Sequence, residues 1–380
     1  MGSIDNLLWT NGTASASLDG MPTMTRPHTV TTALGRDAFA GGRGYLAACT
    51  TGLPPRAARD AMVRDAEESA AGRPDIAGYC DAVERSRAAF ARLVGVDTGR
   101  VAIGSQTSVL VSLIAAALPP GAVVLCPEGD FSSVMLPFLH AGHDVRTAPL
   151  AALAEAVTTQ TALVAFSLVQ SATGDVADVD ALVAAARAHG ARLLCDATQA
   201  VGWLPVDATR FDALVCHAYK WLCAPRGVAF LAVSEDFQQA LRPVHAGWYA
   251  GADPWSSCYG HDIALAPDAS RFDVSPAWQA FVGAAPALEI FAGLEASALH
   301  EHATALAREF RQGLELPTPV RESAIVTWDD PDGDDLARLS AAGIVASGRA
   351  GRARVAFHLF NDADDVDDAV RALRPRAALL

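Results

Sequence analysis

Short apolar runs alternate with helical stretches from about residue 100 onward, and this alternation constrains the fold more than any other feature of the chain. Between two of the runs, Asp178 can cap a helix and Gly190 can end it in a left-handed conformation. That helix would carry Leu182, Val183 and Ala186 on one face. The pattern predicts an α/β fold with helices covering a doubly wound sheet. The predicted strands are 101–104, 122–127, 162–169, 191–196, 213–217 and 227–233.

The length of the chain favours two domains. At 380 residues it exceeds the roughly 250 to 300 residues at which one hydrophobic core stops growing. The first forty residues are rich in Gly, Ser, Thr and Asn, and a loop rich in aromatic residues, Gly and Pro covers 245–270. We therefore predict a partly disordered N-terminal extension at 1–42, a large domain at 43–270 and a small α+β domain at 271–380.

The last part of the chain has the pattern of the small domain. A helix is predicted over 277–313, and strand, helix and strand signals follow it. The two strands are predicted at 325–328 and 355–358. Asp362 is predicted to begin the final helix, because its acidic first turn suits the positive end of a helix dipole.

Charge and cysteine content exclude several kinds of partner. Lys and Arg number 29 against 43 Asp and Glu, and the resulting net charge of −14 repels phosphate backbones. No apolar run approaches the ~20 residues that a bilayer-spanning helix needs. The seven cysteines are odd in number and show no CxxC metal spacing. We expect a cytoplasmic protein with reduced cysteines, no metal, and neither nucleic acid nor a membrane as partner.

Two reactive side chains follow predicted strands of the large domain. Asp196 ends one strand and Lys220 comes shortly after the next, and ligands of parallel α/β sheets bind beyond the carboxyl ends of strands. An acid that keeps a pyridine nitrogen protonated makes the ring an electron sink, and a lysine amine forms an imine with an aldehyde. Pyridoxal 5′-phosphate (PLP) needs both groups. Taken singly, Asp196 could cap a turn and Lys220 could extend from an apolar edge.

The surroundings of these two residues carry a family resemblance. Gln199 follows Asp196, and Lys220 has aromatic neighbours and precedes the turn Pro225-Arg226-Gly227. This spacing resembles the class V aminotransferase superfamily of fold-type I PLP-dependent enzymes, which includes cysteine desulfurases, selenocysteine lyases, kynureninases, isopenicillin epimerases and C–S lyases. The resemblance runs from about residue 43 over nearly all of the remaining chain. It implies a large domain with a mostly parallel seven-stranded sheet, a small α+β domain, and PLP as cofactor.

The resemblance also implies a set of cofactor-binding residues. Lys220 would hold PLP as a Schiff base, and Asp196 would pair with the pyridine nitrogen. The turn Ser105-Gln106, which opens a predicted helix, would hold the phosphate, and amides at helix starts bind phosphate well. The remaining members are Phe131 stacked on the ring, Ser171 and Gln199 beside it, and His217, Tyr219 and a partner subunit's Ser275 at the phosphate.

Several of these positions depart from the family pattern or have a purely structural alternative. Phe131 stands where histidine is frequent, Ser171 where asparagine is usual, and Ala47 where an Asp is common. Ser105 could be a plain helix N-cap, Phe131 a core residue and His217 a satisfied structural histidine. The departures weaken a simple cysteine desulfurase interpretation.

The substrate side of the site is predicted from two segments. Arg354 begins a segment that resembles the family's C-terminal motif, whose leading arginine pairs with the substrate carboxylate, and a guanidinium matches a carboxylate bidentately. The aromatic loop, residues 245–262, contains Trp248, Tyr249 and Tyr259 and could line a pocket for a bulky side chain. The resemblance further implies a homodimer with shared active sites, to which the partner contributes Ser275 or this loop.

The reaction is predicted from the absence of a C-terminal cysteine and from the residues at positions 171 and 220–221. Cysteine desulfurases of this family use a cysteine nucleophile in the C-terminal domain, and no cysteine follows Cys258. A serine at position 171 and the pair Lys220-Trp221 resemble the residues that C–S lyases of the family carry at these positions. We therefore predict β-elimination from an S-substituted cysteine, which yields a thiol, pyruvate and ammonia. An aminotransferase, a decarboxylation-coupled oxidative deaminase, an epimerase and a PLP-binding regulatory protein are the alternatives.

Overall fold

The computed structural model describes residues 35–374, so most of the predicted extension at 1–42 lies outside the described residues. A seven-stranded sheet forms the centre of the large part of the chain, in the order β1-β7-β6-β5-β4-β2-β3. All neighbouring pairs from β3 to β6 are parallel, and β7 alone runs against its two neighbours. The strands are β1 Val101–Gly104, β2 Val123–Pro127, β3 Asp144–Ala148, β4 Thr161–Ser167, β5 Arg192–Asp196, β6 Ala213–His217 and β7 Ala229–Val233.

Six of these strands were predicted and one was missed. The missed strand is β3, which lies at the sheet edge and pairs only with β2. Only Ala148 of its five residues is buried, and Asp144, Arg146 and Thr147 are exposed. An edge strand can carry charged residues because one side faces solvent, and these charges discourage pairing with another chain. The apolar pattern used to find strands is therefore missing in β3.

Apolar residues on alternate sides of the strands fill two separate cores. Leu193 and Cys195 belong to one buried cluster, whereas Leu194 belongs to the other. This arrangement confirms the sheet covered by helices on both faces. The helices of the described chain are α1 Arg56–Ala70, α2 Ile76–Leu93, α3 Thr107–Ala115, α4 Ser132–His140, α5 Val179–His189, α6 Glu235–Ala240, α7 Trp278–Ala292, α8 Ala296–Gly313, α9 Asp334–Ala341 and α10 Ala363–Leu373.

Helix α5 forms as its capping residues predict. The Asp178 side chain accepts a hydrogen bond from the Ala181 amide, and Gly190 ends the helix at φ 73°. Leu182, Val183 and Ala186 are buried, as the spacing predicted.

The single helix predicted over 277–313 is wrong, because the structure has two helices there. Helix α7 ends at Ala292, Glu295 is extended, and the axis of α8 is turned by 89° relative to α7. The bend lets α7 pack against α1 and α2, while α8 packs against α10 and against the strand Ile325–Asp329, which is β8 of the small sheet. Within residues 35–374, no single helix is long and apolar enough to cross a membrane, and α7 with α8 meets that criterion only as this bent pair.

The small sheet has three strands, which are β8 Ile325–Asp329, β9 Ser347–Arg349 and β10 Arg352–Ala356. Their order in the sheet is β8-β10-β9. Both pairs are antiparallel. Asp362 begins α10 with a capping box in which its side chain accepts from the Asp365 amide. Tyr45 and Ala47 bridge to Val345 and Ala356, so the N-terminal part of the described chain joins this sheet. The domain boundary at residue 271 stays a prediction.

Candidate active site

A pocket lies beyond the carboxyl ends of β4, β5 and β6, where the sheet geometry predicts a ligand site. The structure brings most of the predicted cofactor-binding residues together around it. Those that line the pocket are Gln106, Phe131, Ser171, Asp196, Gln199, His217, Tyr219 and Lys220.

Asp196 is the last residue of β5 and is 4% exposed. Burial raises the pKa of its carboxyl group to about 6, while the hydrogen bonds from Thr198 and the charge of Lys220 act in the opposite direction. One carboxylate oxygen accepts from the Thr198 amide at 2.9 Å. A protonated ring nitrogen would be a suitable partner for this buried acid, because it would supply the opposite charge at short range.

Lys220 follows β6 in a tight turn and is 5% exposed. Burial lowers the pKa of its amine to about 8, and the Asp196 charge opposes this shift. The amine lies 5.4 Å from the centre of the Phe131 ring and 5.6 Å from that of Tyr219. A buried lysine amine with a lowered pKa is suited to forming an imine and to accepting a proton.

A glycine permits the turn that positions Lys220. The Gly52 amide donates to the Tyr219 carbonyl at 2.8 Å. A Cβ atom at Gly52 would lie 2.1 Å from the Lys220 carbonyl oxygen and 2.8 Å from Cys223 Cα, so only glycine fits without displacing the backbone. The segment around residue 52, which resembles the family's N-terminal turn, thus packs directly against the lysine turn.

The amide of Gln199 has a fixed orientation. Its oxygen accepts from Trp221 Nε1 at 2.8 Å, and its nitrogen donates to the Cys49 carbonyl at 2.9 Å and to Ser171 Oγ at 3.2 Å. Because the oxygen is occupied by the indole, the nitrogen is the atom that the side chain presents on the Ser171 side. Both N–H groups of this amide are paired, so a cofactor ring beside Gln199 would accept its hydrogen bond in place of the Ser171 hydroxyl.

The other end of the pocket is formed by the start of α3 and by His217. Gln106 is the N-cap of α3 and makes no side-chain capping bond, and Thr107 and Ser108 line the pocket in the first turn. His217 is 8% exposed, and its Nε2 has no hydrogen-bond partner in the described part of the chain. Burial lowers the pKa of its imidazole to about 4, so the ring is neutral. Free amides are donors that fit a phosphate, and the neutral His217 ring adds one more donor in the tautomer that carries its proton on Nε2, so the pocket fits PLP at both ends.

Arg354 lies beside the pocket, on β10, and is 1% exposed. Its guanidinium donates to Thr50 Oγ1 at 2.9 Å, to Ser347 Oγ at 3.2 Å, and to both the hydroxyl and the carbonyl of Ser171. Burial lowers the pKa of this group. No carboxylate within residues 35–374 forms an ion pair with it. A buried guanidinium without an acidic partner is suited to binding an anionic ligand.

Six predicted site residues do not line this pocket in one chain, and Arg354 is one of them, although it contacts the lining residue Ser171. Ser105 precedes α3 but does not line the pocket, and it is not the N-cap. Ser275 lies exposed between the large sheet region and α7. Tyr259 is 92% exposed. Trp248 and Tyr249 fold back onto their own chain, where Tyr249 lines a separate cavity.

The aromatic loop lies away from the pocket of its own chain. Trp248 packs with Trp255 at 5.2 Å and with Trp278 of α7 at 6.4 Å between ring centres. Tyr249 is 6% exposed and shares its cavity with the buried ion pair of Arg87 and Asp273. Trp248 and Tyr249 are thus packed with residues of α7 and α2 and do not contact the pocket. A role of the loop at the site of a partner subunit stays a prediction.

Sequence reasoning missed other polar residues of the pocket. Thr107 and Thr198 line it, and their hydroxyl oxygens lie 3.5 Å apart. Thr198 Oγ1 also accepts from the His217 amide at 2.9 Å, which ties the ends of β5 and β6 together. Arg226 lines the pocket as well, although its place between Pro225 and Gly227 indicates only a turn. Proximity to Asp196 and Lys220 in the sequence could have indicated Thr198 and Arg226.

The sequence model described as Aminotransferase class-V matches residues 79–323. This match spans more than half of the chain, and the chain belongs to the class V aminotransferase family. It is a fold-type I, PLP-dependent enzyme that acts on an amino acid.

Individual proteins similar to this chain differ in their reactions. The uncharacterized aminotransferase YcbU of Bacillus subtilis is 26% identical over 310 residues, covering 76% of this chain and 82% of that protein. A kynureninase of Deinococcus radiodurans is 29% identical over 291 residues, 70% of either chain. The cystine C–S lyase C-DES, solved with its product cysteine persulfide, has a TM-score of 0.77 at 20% identity, covering 88% of this chain and 97% of that one. At this identity the structural likeness shows the fold alone.

Proposed function

We propose that this enzyme is a C–S lyase that cleaves an S-substituted cysteine by β-elimination. The overall reaction converts the conjugate and one water molecule into a thiol, pyruvate and ammonium. The observation that carries the proposal is a buried lysine base in a pocket that, within the described residues, has no cysteine in its lining. When bound, PLP withdraws electrons from Cα of the substrate and so weakens the bonds at that carbon.

The first step requires a base at Cα, and Lys220 supplies it. Its lowered pKa of about 8 leaves a useful fraction of neutral amine near neutral pH, so the amine can accept the Cα proton. The electron pair left at Cα then forms the Cα–Cβ double bond, and the Cβ–S bond breaks with the sulfur leaving as thiolate. Protonation of that sulfur gives the thiol. Hydrolysis of the remaining three-carbon fragment gives pyruvate and ammonium.

The second requirement is orientation of the substrate, and Arg354 is placed to meet it. The bond that breaks must stand perpendicular to the plane of the cofactor ring, so the substrate carboxylate has to be held from one side. The hydroxyl groups of Thr50, Ser171 and Ser347 fix the guanidinium fork of Arg354 beside the pocket. A fixed, planar fork binds a carboxylate in one orientation and so reduces the entropy that reaching the transition state costs.

The third argument concerns the fate of the sulfur. Transfer of sulfur to the enzyme needs a mobile thiol that reaches the substrate, and the last cysteine of the sequence is Cys258. Cys49 lies next to the site, but it is 1% exposed and its Sγ is 3.9 Å from Ser347 Oγ. Its place in a packed turn favours a structural role. Release of a free thiol is therefore better supported than persulfide formation on the protein.

The test is product analysis with a panel of S-substituted L-cysteines that differ in the size of the substituent, with free L-cysteine and L-kynurenine beside them. We expect thiol, pyruvate and ammonium in equal amounts from one or more conjugates, measured by mass spectrometry. Reaction in deuterium oxide should place deuterium on the methyl group of pyruvate. Lys220→Ala protein supplemented with PLP is the control for uncatalysed elimination.

Other products would contradict the proposal and identify the alternative. A three-carbon keto acid that keeps its sulfur substituent indicates transamination, carbon dioxide indicates decarboxylation, and a racemised substrate indicates epimerisation. Elimination that stops in a Cys49→Ser variant would show that the buried thiol takes part. We also propose, from the family resemblance and the composition, that the enzyme is a cytoplasmic homodimer; sedimentation of the purified protein tests the dimer.

A further inference from the structure

Arg226 is a cation in the pocket with no assigned partner. It lines the pocket together with the first turn of α3, His217 and Tyr219. Its guanidinium carbon lies 4.3 Å from the centre of the Tyr219 ring, so the aromatic ring supports the planar group from one side. None of the ion pairs formed between described residues includes Arg226.

The charges of the pocket-lining residues show that Arg226 supplies the positive charge at the α3 end. Its other charged lining residues are Asp196 and Lys220, and these two are electrostatically coupled to each other. His217, at the α3 end, is neutral because burial lowers its pKa and the nearby Arg226 charge lowers it further. The α3 end thus offers neutral donors from Thr107, Ser108 and His217, and Arg226 is the cation beside them.

A phosphate ester carries nearly two negative charges at neutral pH, and neutral donors alone leave that charge uncompensated. The unpartnered Nε2 of His217 and the free amides at the start of α3 fix where such an anion binds. We infer that Arg226, stacked on Tyr219, is the residue that neutralises the phosphate of the cofactor. This inference concerns cofactor binding and does not depend on which bond of the substrate is cleaved.

The inference is tested by removing the charge from the protein and the phosphate from the ligand in turn. PLP-free protein is titrated with PLP or with pyridoxal, which keeps the aldehyde but lacks the phosphate, and binding is followed by quenching of tryptophan fluorescence. We expect Arg226→Ala to weaken PLP binding by about 10- to 100-fold and to leave pyridoxal binding unchanged. Arg226 is exposed in the single chain, so the substitution should not prevent folding.

Two further variants separate charge from shape. Arg226→Lys keeps the charge but loses the planar group that stacks on Tyr219, and we expect PLP affinity between those of the native protein and Arg226→Ala. Arg187→Ala is the matched control, because Arg187 is an exposed arginine on α5 that does not line the pocket. Equal PLP affinity in Arg226→Ala and Arg187→Ala would overturn the inference. Equal losses for PLP and pyridoxal in Arg226→Ala would also overturn it, since the phosphate would not be the group contacted.

Discussion

The strand ends around Asp196 and Lys220 and the aromatic loop at 245–262 were both predicted to belong to the active site, and the two regions behave differently in the folded chain. The strand ends meet in one pocket, with Gln199 and His217 beside them. The aromatic loop instead packs Trp248 on Trp255 and Trp278. The cofactor end of the site is thus assembled within one chain, whereas the predicted substrate loop is not.

The two regions differ because different interactions fix their positions. Asp196 and His217 are the last residues of β5 and β6, and parallel pairing fixes the edge of the sheet at which those strands end. The aromatic loop has no strand or long helix, and its position depends on which apolar surface buries its rings best. Sheet register therefore determines the cofactor end, and side-chain packing determines the loop.

The largest effect is expected from Lys220→Ala, which removes the group on which the cofactor end depends. We expect turnover to fall by about 1,000-fold or more, because both the covalent link and the base are lost. Borohydride reduction followed by peptide mapping should locate the PLP adduct at Lys220 in the native protein and find none in the variant. An adduct on another lysine would remove Lys220 from the centre of the site.

Asp196→Asn is expected to give the next largest loss. The variant should still bind PLP, since Lys220 and the α3 end are unchanged, but turnover should fall by about 100-fold. A neutral amide no longer stabilises a protonated ring nitrogen. Cofactor content is measured by absorbance after alkaline release and turnover by pyruvate formation. A variant with native turnover would leave Asp196 with a structural role only.

Arg354 tests whether the side of the site formed by β10 binds the substrate. We expect Arg354→Ala to reduce kcat/KM by about 100-fold and Arg354→Lys by less, with PLP content unchanged in both. Thr50→Val, which removes one hydroxyl that fixes the fork, should give a smaller loss in the same parameter. Steady-state kinetics with several amino acids checks this. If both arginine variants keep native kinetics, the carboxylate is bound elsewhere.

The sequence could predict those parts of the fold and site whose signals are local. Capping by Asp178, the strand ends at Asp196 and His217, and the final helix at Asp362 all follow from short patterns that the structure contains. The polar edge strand β3 lacks an apolar pattern, and the 89° bend between α7 and α8 depends on which surfaces each helix covers. Arg226 and Thr198 enter the pocket through the tertiary arrangement of their turns, and the only local indication of them is their closeness in the sequence to Lys220 and Asp196.

The pH dependence of turnover should show the coupling between the two central residues. Only the neutral amine of Lys220 can accept a proton, so kcat should rise with pH through about 8, by up to tenfold for each unit below it, and level off above. The Asp196 charge raises the lysine pKa, so the inflection should move to lower pH in Asp196→Asn. An unchanged inflection in that variant would mean that another group titrates.

The smallest effect is expected from a substitution in the aromatic loop. It tests whether the loop of one subunit contacts the pocket of the other. Tyr259 is 92% exposed in the single chain, so Tyr259→Ala should not change the stability of the protein. If a partner subunit's loop closes the pocket, the variant should raise KM for cysteines with bulky S-substituents by about 2- to 10-fold, the worth of one aromatic contact. KM for S-methylcysteine, which is too small to reach the ring, should stay the same.

The matched control for this variant is Val320→Ala, because Val320 is 96% exposed and lies outside the loop. Kinetics are measured at a protein concentration where sedimentation shows a dimer, and again after dilution. The difference between bulky and small substrates should disappear if dilution separates the subunits, since the contact comes from the partner. A KM that is unchanged for every substrate would place the loop away from the site in the dimer as well. Binding of the substituent would then depend on residues of the pocket itself, such as Phe131, which is 44% exposed there.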